Sequence, residues 1–168
     1  MEEENTFINE YILDENSIKE TMGSWWDRRF KKLKVFSIIL FLISIIVFIL
    51  SQDLRWLLVT FLSVYMIVLC VIKKKTAIKT EISKMKVLYK DEKIQIKIIL
   101  DKKIKLLAPK NEKEIDFSDI EYMIDSENFI TLNIKGNMTI SLKKDGFTKG
   151  NITECVKYLN EVIKTIKN

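Results

Sequence analysis

Three sets of side chains in this sequence raise a chemical question. Carboxylates cluster at Asp14-Glu15, at Asp91-Glu92, and at Glu112, Glu114, Asp116 and Asp119. Ser118 stands beside Asp119, a hydroxyl next to an acid. Cys70 and Cys155 are the two thiols. Each set lacks what its chemistry needs. The chain has no histidine, which removes the commonest general base and metal ligand. Ser118-Asp119 therefore has no base to activate the hydroxyl. The cysteines lie too far apart in the chain for a zinc motif or a disulfide framework. None of the four glycines falls in a G-x-G-x-x-G or G-x-x-x-x-G-K phosphate cradle. The acidic clusters read as solvated turns and strand edges. The expectation is a non-enzyme with no catalytic, cofactor-binding or metal-binding residue.

The elements around these residues are more informative. Val35 to Leu50 holds 16 residues without a charge, and Trp56 to Ile72 holds 17. As helices they would be about 24 to 26 Å long, slightly short of a ~30 Å hydrocarbon core. Snorkelling Lys and Arg side chains and local thinning absorb that difference. A soluble helix keeps a polar face, whereas the first run has only Ser37 and Ser44 as polar residues. Two transmembrane helices are expected. No signal peptide is expected, because the first run starts more than thirty residues in, behind an acidic leader. Ser51-Gln52-Asp53 supplies turn-forming residues, so the spans form an antiparallel hairpin, with Asp53 capping the second helix and Trp56 as a belt residue. Small residues fall at matching depth: Ser37 with Cys70, Ser44 with Ser63, and Val47 with Thr60. Ser37, Ser44, Thr60, Ser63 and Cys70 are therefore the expected helix–helix seam.

Charge supplies an orientation. Residues 1–22 carry seven acids against one base, residues 23–86 twelve bases against three acids, and residues 87–168 fifteen bases against thirteen acids. The basic excess is a collar around the apolar runs. Arg28, Arg29, Lys31, Lys32 and Lys34 precede the first, and Lys73, Lys74, Lys75 and Lys79 follow the second. The positive-inside rule places both termini in the cytoplasm. The glycosylation patterns at Asn137 and Asn151 are then without consequence. Trp25 and Trp26, mixed with bases in a helix opening near Asn16-Ser17, suit the headgroup layer. The collar suits an anionic lipid surface. Bases on a nucleic-acid binder would sit on the soluble domain, so no nucleic-acid partner is expected.

After Lys75 the spacing of Ile78, Ile82 and Met85 predicts a helical stalk. Strand signals then take over: "KVLY", "KIQIKII", "IKLLA" ended by Pro109, "EIDF", "DIEYMI", "FITLNI" and "MTISL". Asn151 caps a closing helix whose stripe is Ile152, Cys155, Val156, Leu159, Val162, Ile163 and Ile166. The expected fold is an α+β membrane protein: a two-helix transmembrane hairpin, then an antiparallel domain of about seven strands with a C-terminal capping helix, of pleckstrin-homology (PH)-like form. The expected division is an acidic segment with an interfacial aromatic and basic end (1–30), the hairpin (31–75, with spans 35–50 and 56–72), the stalk (76–86) and the PH-like domain (87–168).

The stretch from Glu114 to Phe147, with Phe117-Ser118-Asp119-Ile120 near its start and Lys143-Lys144-Asp145-Gly146-Phe147 at its end, resembles the YcxB-like family of small bacterial membrane proteins. Lys143 stands where that family has Pro. The resemblance implies a PH-like domain at the bacterial plasma membrane and brings no catalytic residues. PH-like recognition of inositol phosphates needs bases in the first hairpin loop. Lys90-Asp91-Glu92-Lys93, read as that loop, has no net charge, so the activity is not carried over. The functional expectation is a membrane-anchored interaction module whose cytoplasmic domain docks an unidentified partner protein. The alternatives are a self-protection (immunity) protein against a membrane-active peptide and a transporter accessory subunit. No oligomeric state follows from the sequence.

Overall fold

The computed structural model describes residues 6–90, 93–136 and 138–167, with Lys167 by its backbone alone. The chain is α+β. Two long apolar helices near the N-terminus are followed by antiparallel sheets and a C-terminal helix. In order the elements are β1 (Phe7–Leu13), α1 (Glu15–Arg29), α2 (Lys31–Ser51), α3 (Arg55–Tyr89), β2 (Ile94–Leu100), β3 (Ile104–Ala108), β4 (Asn111–Ile115), a 3-10 turn (Phe117–Asp119), β5 (Ile120–Asp125), β6 (Phe129–Ile134), β7 (Met138–Lys143), β8 (Phe147–Lys149) and α4 (Ile152–Lys167).

The strands form a five-stranded sheet in the order β4-β3-β2-β1-β8 and a three-stranded sheet in the order β5-β6-β7. The chain divides into two compact units. One joins residues 1–21 to 82–168, and the other is residues 22–81. Composition had set residues 1–30 apart as an acidic segment. Phe7–Leu13 is instead a strand inside the larger sheet, paired along its whole length with β2 from Phe7 opposite Leu100 to Leu13 opposite Ile94. Phe7, Asn9 and Tyr11 point into the core while Ile12 is exposed, the alternation of a half-buried strand. The helical segment is thus an insertion between two paired strands.

Asn9 joins the sheets. Fully buried, its side chain donates to the Lys143 carbonyl at 2.7 Å and accepts from the Lys143 amide at 3.0 Å. Glu10 N–H donates to the Gly146 carbonyl at 2.7 Å. A Cβ at Gly146 would lie 2.8 Å from the Glu10 carbonyl oxygen, so only glycine permits this approach. The Lys143-to-Phe147 segment quoted above for its resemblance is therefore the corner where β1, β7 and β8 meet. Ile94, Ile96, Ile98 and Leu100 face the core from β2, and Leu132, Ile140 and Leu142 from the smaller sheet. Tyr11 meets Phe129 edge-on at 5.5 Å. On α4, Cys155 and Leu159 are fully buried, and Tyr158 rests between Phe7 and Phe117.

Two further expectations are corrected. "KVLY" belongs to the last turn of α3, which runs to Tyr89 before Lys90 takes a left-handed φ of 54°. Three apolar residues ending a helix match a strand locally, and the continuing i→i−4 ladder decides between them. Lys90 and Lys93 therefore follow a helix rather than flank a β-hairpin, and Asp91 and Glu92 lie outside the described residues. The seventh strand of the C-terminal part is instead β8, paired with β1. Helix α1 starts at Glu15, one to two residues before the expected opening at Asn16-Ser17. Asp14 caps it, accepting from the Ser17 amide at 2.8 Å and hydroxyl at 2.7 Å. These bonds hold the Asp14 carboxyl below its ordinary pKa.

Candidate functional site

In the unit of residues 22–81, α2 and α3 are long and apolar enough to cross a membrane, with mean hydropathies of 3.0 and 2.3. Only 11% of each apolar stretch is buried. Phe36, Ile46, Leu50, Leu58 and Phe61 are among the side chains left exposed. The core helix of a soluble protein would bury most of these.

The buried exceptions are small and polar. Ser37, Ser44, Ser63 and Cys70 are each less than a tenth exposed, and Thr60 is half-buried. The Ser44 and Thr60 hydroxyls share a 2.9 Å hydrogen bond between the helices. Thr60 had been matched to Val47 and Ser44 to Ser63. Thr60 and Ser63 stand one turn apart on the same face, and the Ser44 hydroxyl bond goes to Thr60. Ser37 donates to the Leu33 carbonyl and Ser63 to the Thr60 carbonyl, so the hydroxyls are satisfied within their own helices. At the tip, Gln52 takes a left-handed φ of 53°, and Asp53 accepts from the Arg55 amide at 3.0 Å. Trp56, at the start of α3, is half-buried.

The basic runs at the other end of these two helices are drawn together by one acid. Asp27, near the end of α1, accepts from Lys34 Nζ at 2.7 Å and from Lys74 Nζ at 2.6 Å, one lysine on each carboxylate oxygen. Burial opposes ionisation of Asp27, but the two lysines outweigh it and hold the carboxyl below its ordinary pKa. Lys31, Lys32, Lys73 and Lys75 are exposed. Trp25 is buried and lies under the Arg29 guanidinium, 4.8 Å from the ring centre. Trp26 stacks on Phe30 at 4.7 Å. Helical hydrogen bonds run through Phe30, from its amide to Trp26 O and from the Lys34 amide to its own carbonyl. α1 therefore feeds α2 without a reversal. The acid was missed in the sequence because a single Asp among five bases looks like dilution of a charge run.

In the other unit, a groove of about 490 Å³ lies between α4 and the 3-10 turn and β5. Phe117, Ile120, Tyr122, Ile163 and Ile166 supply its apolar wall, and Glu121 and Lys135 its charges. Ser118 also lines it, while Lys135 Nζ lies 3.6 Å from Asp119. The Ser118-Asp119 pair thus sits at a groove margin. Asp116 is 3.2 Å from Lys103, and Glu114 is 3.0 Å from Lys105, so these acids of the expected cluster are paired with lysines. No group of three or more metal-ligating side chains occurs among the described residues. Burial pushes the Cys155 thiol up to about 12, which leaves it protonated and unreactive at neutral pH.

Glu20 of α1 holds the β5–β6 turn. Oε1 accepts from Ser126 Oγ at 2.8 Å and from the Asn128 amide at 2.7 Å, and Oε2 accepts from Asn128 Nδ2 at 2.9 Å. Burial works against its charge, yet these bonds prevail and lower its pKa. No protein-family model matches the chain, and no curated protein or solved structure matches it either.

Proposed function

We propose that this chain is a non-enzymatic, membrane-anchored interaction module of YcxB-like type, whose β unit faces the cytoplasm and docks a partner protein. The observation that carries this reading is the insertion of two outward-apolar helices between the paired strands β1 and β2. A hairpin that leaves so much apolar surface exposed is stable in lipid and a liability in water. The strand order supports a PH-like fold: a meander from β1 to β4, a second from β5 to β7, and a closing helix. In that comparison the first hairpin loop is the helical insertion itself, so inositol-phosphate recognition is not part of the proposal. The groove beside α4, about 490 Å³ and lined by both apolar side chains and one charge of each sign, is the surface the proposal assigns to the partner.

Photo-crosslinking in intact cells tests the docking. A crosslinker at Ser118, on the groove, should give a discrete protein adduct, and one at the exposed Gln95 should not. The adduct should disappear when residues 22–81 are replaced by a soluble linker. A crosslinking pattern that is the same at both positions would refute docking at the groove.

A further inference from the structure

We infer that Asp27 clamps two lysines of the basic collar, Lys34 and Lys74, and that the four lysines adjoining them, Lys31, Lys32, Lys73 and Lys75, form a binding ring for anionic lipid headgroups. This rests on the membrane reading above and identifies the ligand of the collar. The two basic runs are some forty residues apart in sequence. Lys34 and Lys74 nevertheless meet on one carboxylate, at 2.7 and 2.6 Å. That contact puts the start of α2 and the middle of α3 at one level. Lys31 and Lys32 lie within a turn of Lys34, and Lys73 and Lys75 flank Lys74, so all four belong to the same ring. Their side chains are exposed and make no ion pair among the described residues.

The chemistry of the ring selects lipid over other anions. Lys34 is followed directly by Val35, and Lys73 is preceded directly by Ile72, both of them exposed apolar residues. An anion bound here meets ammonium groups on one side and hydrocarbon on the other, which describes a phosphate carrying acyl chains. Asp27 lowers the charge of the ring by one and also immobilises two lysines. Removing it should therefore strengthen binding of an anion by more than the loss of one like charge alone.

The test uses the full chain reconstituted in phosphatidylcholine vesicles, with spin-labelled phosphatidylglycerol and phosphatidylcholine as probes. The readout is their relative association with the protein. Wild type should prefer phosphatidylglycerol about fivefold, as expected of a surface contribution near that of one fully effective lysine, and added salt should lower the preference. K31Q/K32Q/K73Q/K75Q should bring the ratio close to one. D27N should raise it at least twofold above wild type. D27N/K34Q/K74Q, which removes the whole clamp, should stay within a factor of two of wild type. The inference is overturned if the quadruple variant keeps the wild-type ratio, or if the triple variant loses it. Circular dichroism separates a misfolded D27N from a folded one, and the quadruple variant decides the matter either way. Wild-type protein that alkaline carbonate strips from membranes would refute the membrane reading itself. Carbonate-resistant protein with a ratio near one would refute only the lipid ring.

Discussion

At the scale of residues, two polar side chains make contacts that backbone or packing supplies elsewhere. Asn9, buried on β1, offers Lys143 both a donor and an acceptor, as a neighbouring strand would. Asn9→Ala would leave the Lys143 amide without its acceptor, while the Lys143 carbonyl keeps the Gly146 N–H at 3.0 Å, and one unsatisfied group costs about 1–3 kcal/mol. We expect Asn9→Ala to destabilise the β unit by about 2 kcal/mol in urea unfolding. Asn9→Asp should cost a similar amount, because a carboxylate cannot donate to the carbonyl. Glu20 is the second case. Its folded pKa lies below the unfolded value of about 4.3. Its stabilisation is therefore complete above that value and lost as the pH falls through the folded pKa. Glu20→Gln should flatten the acid limb of the stability profile below about pH 5 and change its neutral-to-alkaline shape little. An unchanged acid limb would show that Glu20 does not hold the β5–β6 turn through its charge.

At the scale of elements, the helical hairpin was legible in the sequence and the first strand was not. Sixteen charge-free residues form a signal that does not depend on distant partners. Small polar residues in an otherwise large apolar run suggest a close approach; Ser37, Ser44, Ser63 and Cys70 are buried, and the hydroxyl bond between the helices joins Ser44 to Thr60 rather than to Ser63. S44C/T60C in a C70A/C155A background should crosslink readily, and the exposed pair I43C/L62C should not. If the second pair crosslinks as well as the first, the helices meet along a different face. β1 escaped notice for a physical reason. It lies among seven acids, its inward positions include the polar Asn9, and its partner β2 begins some eighty residues later. Neither composition nor periodicity carries information about that pairing. The alternation of Ile94, Ile96 and Ile98 and the stripe on α4 were readable because each buries one face against the core. Asn151 was readable as a cap, and it does accept from the Glu154 amide at 2.9 Å. The candidate sites were only half legible. The lysines of the collar stood out, while the Asp27 clamp and the groove beside α4 depend on contacts made in three dimensions.

At the scale of the whole molecule, the insertion means that the β unit needs chain from both sides of the hairpin. Residues 87–168 alone lack β1, which exposes one edge of β2 and leaves β8 without its partner. That fragment should fail to give a cooperative unfolding transition. Residues 1–21 joined to 82–168 by a flexible Gly/Ser linker should give one, because this is the compact unit that the contacts define. A cooperative transition from 87–168 alone would contradict the place given to β1. The central claim is that the hairpin crosses a membrane and leaves the β unit in the cytoplasm. Thiol labelling in intact cells tests it most directly, in the C70A/C155A background and with a membrane-impermeant reagent. Gln52 at the tip and Glu127 at the β5–β6 turn are both exposed. Q52C should react in intact cells, and E127C should react only after permeabilisation. Labelling of E127C with protection of Q52C in intact cells would contradict the account.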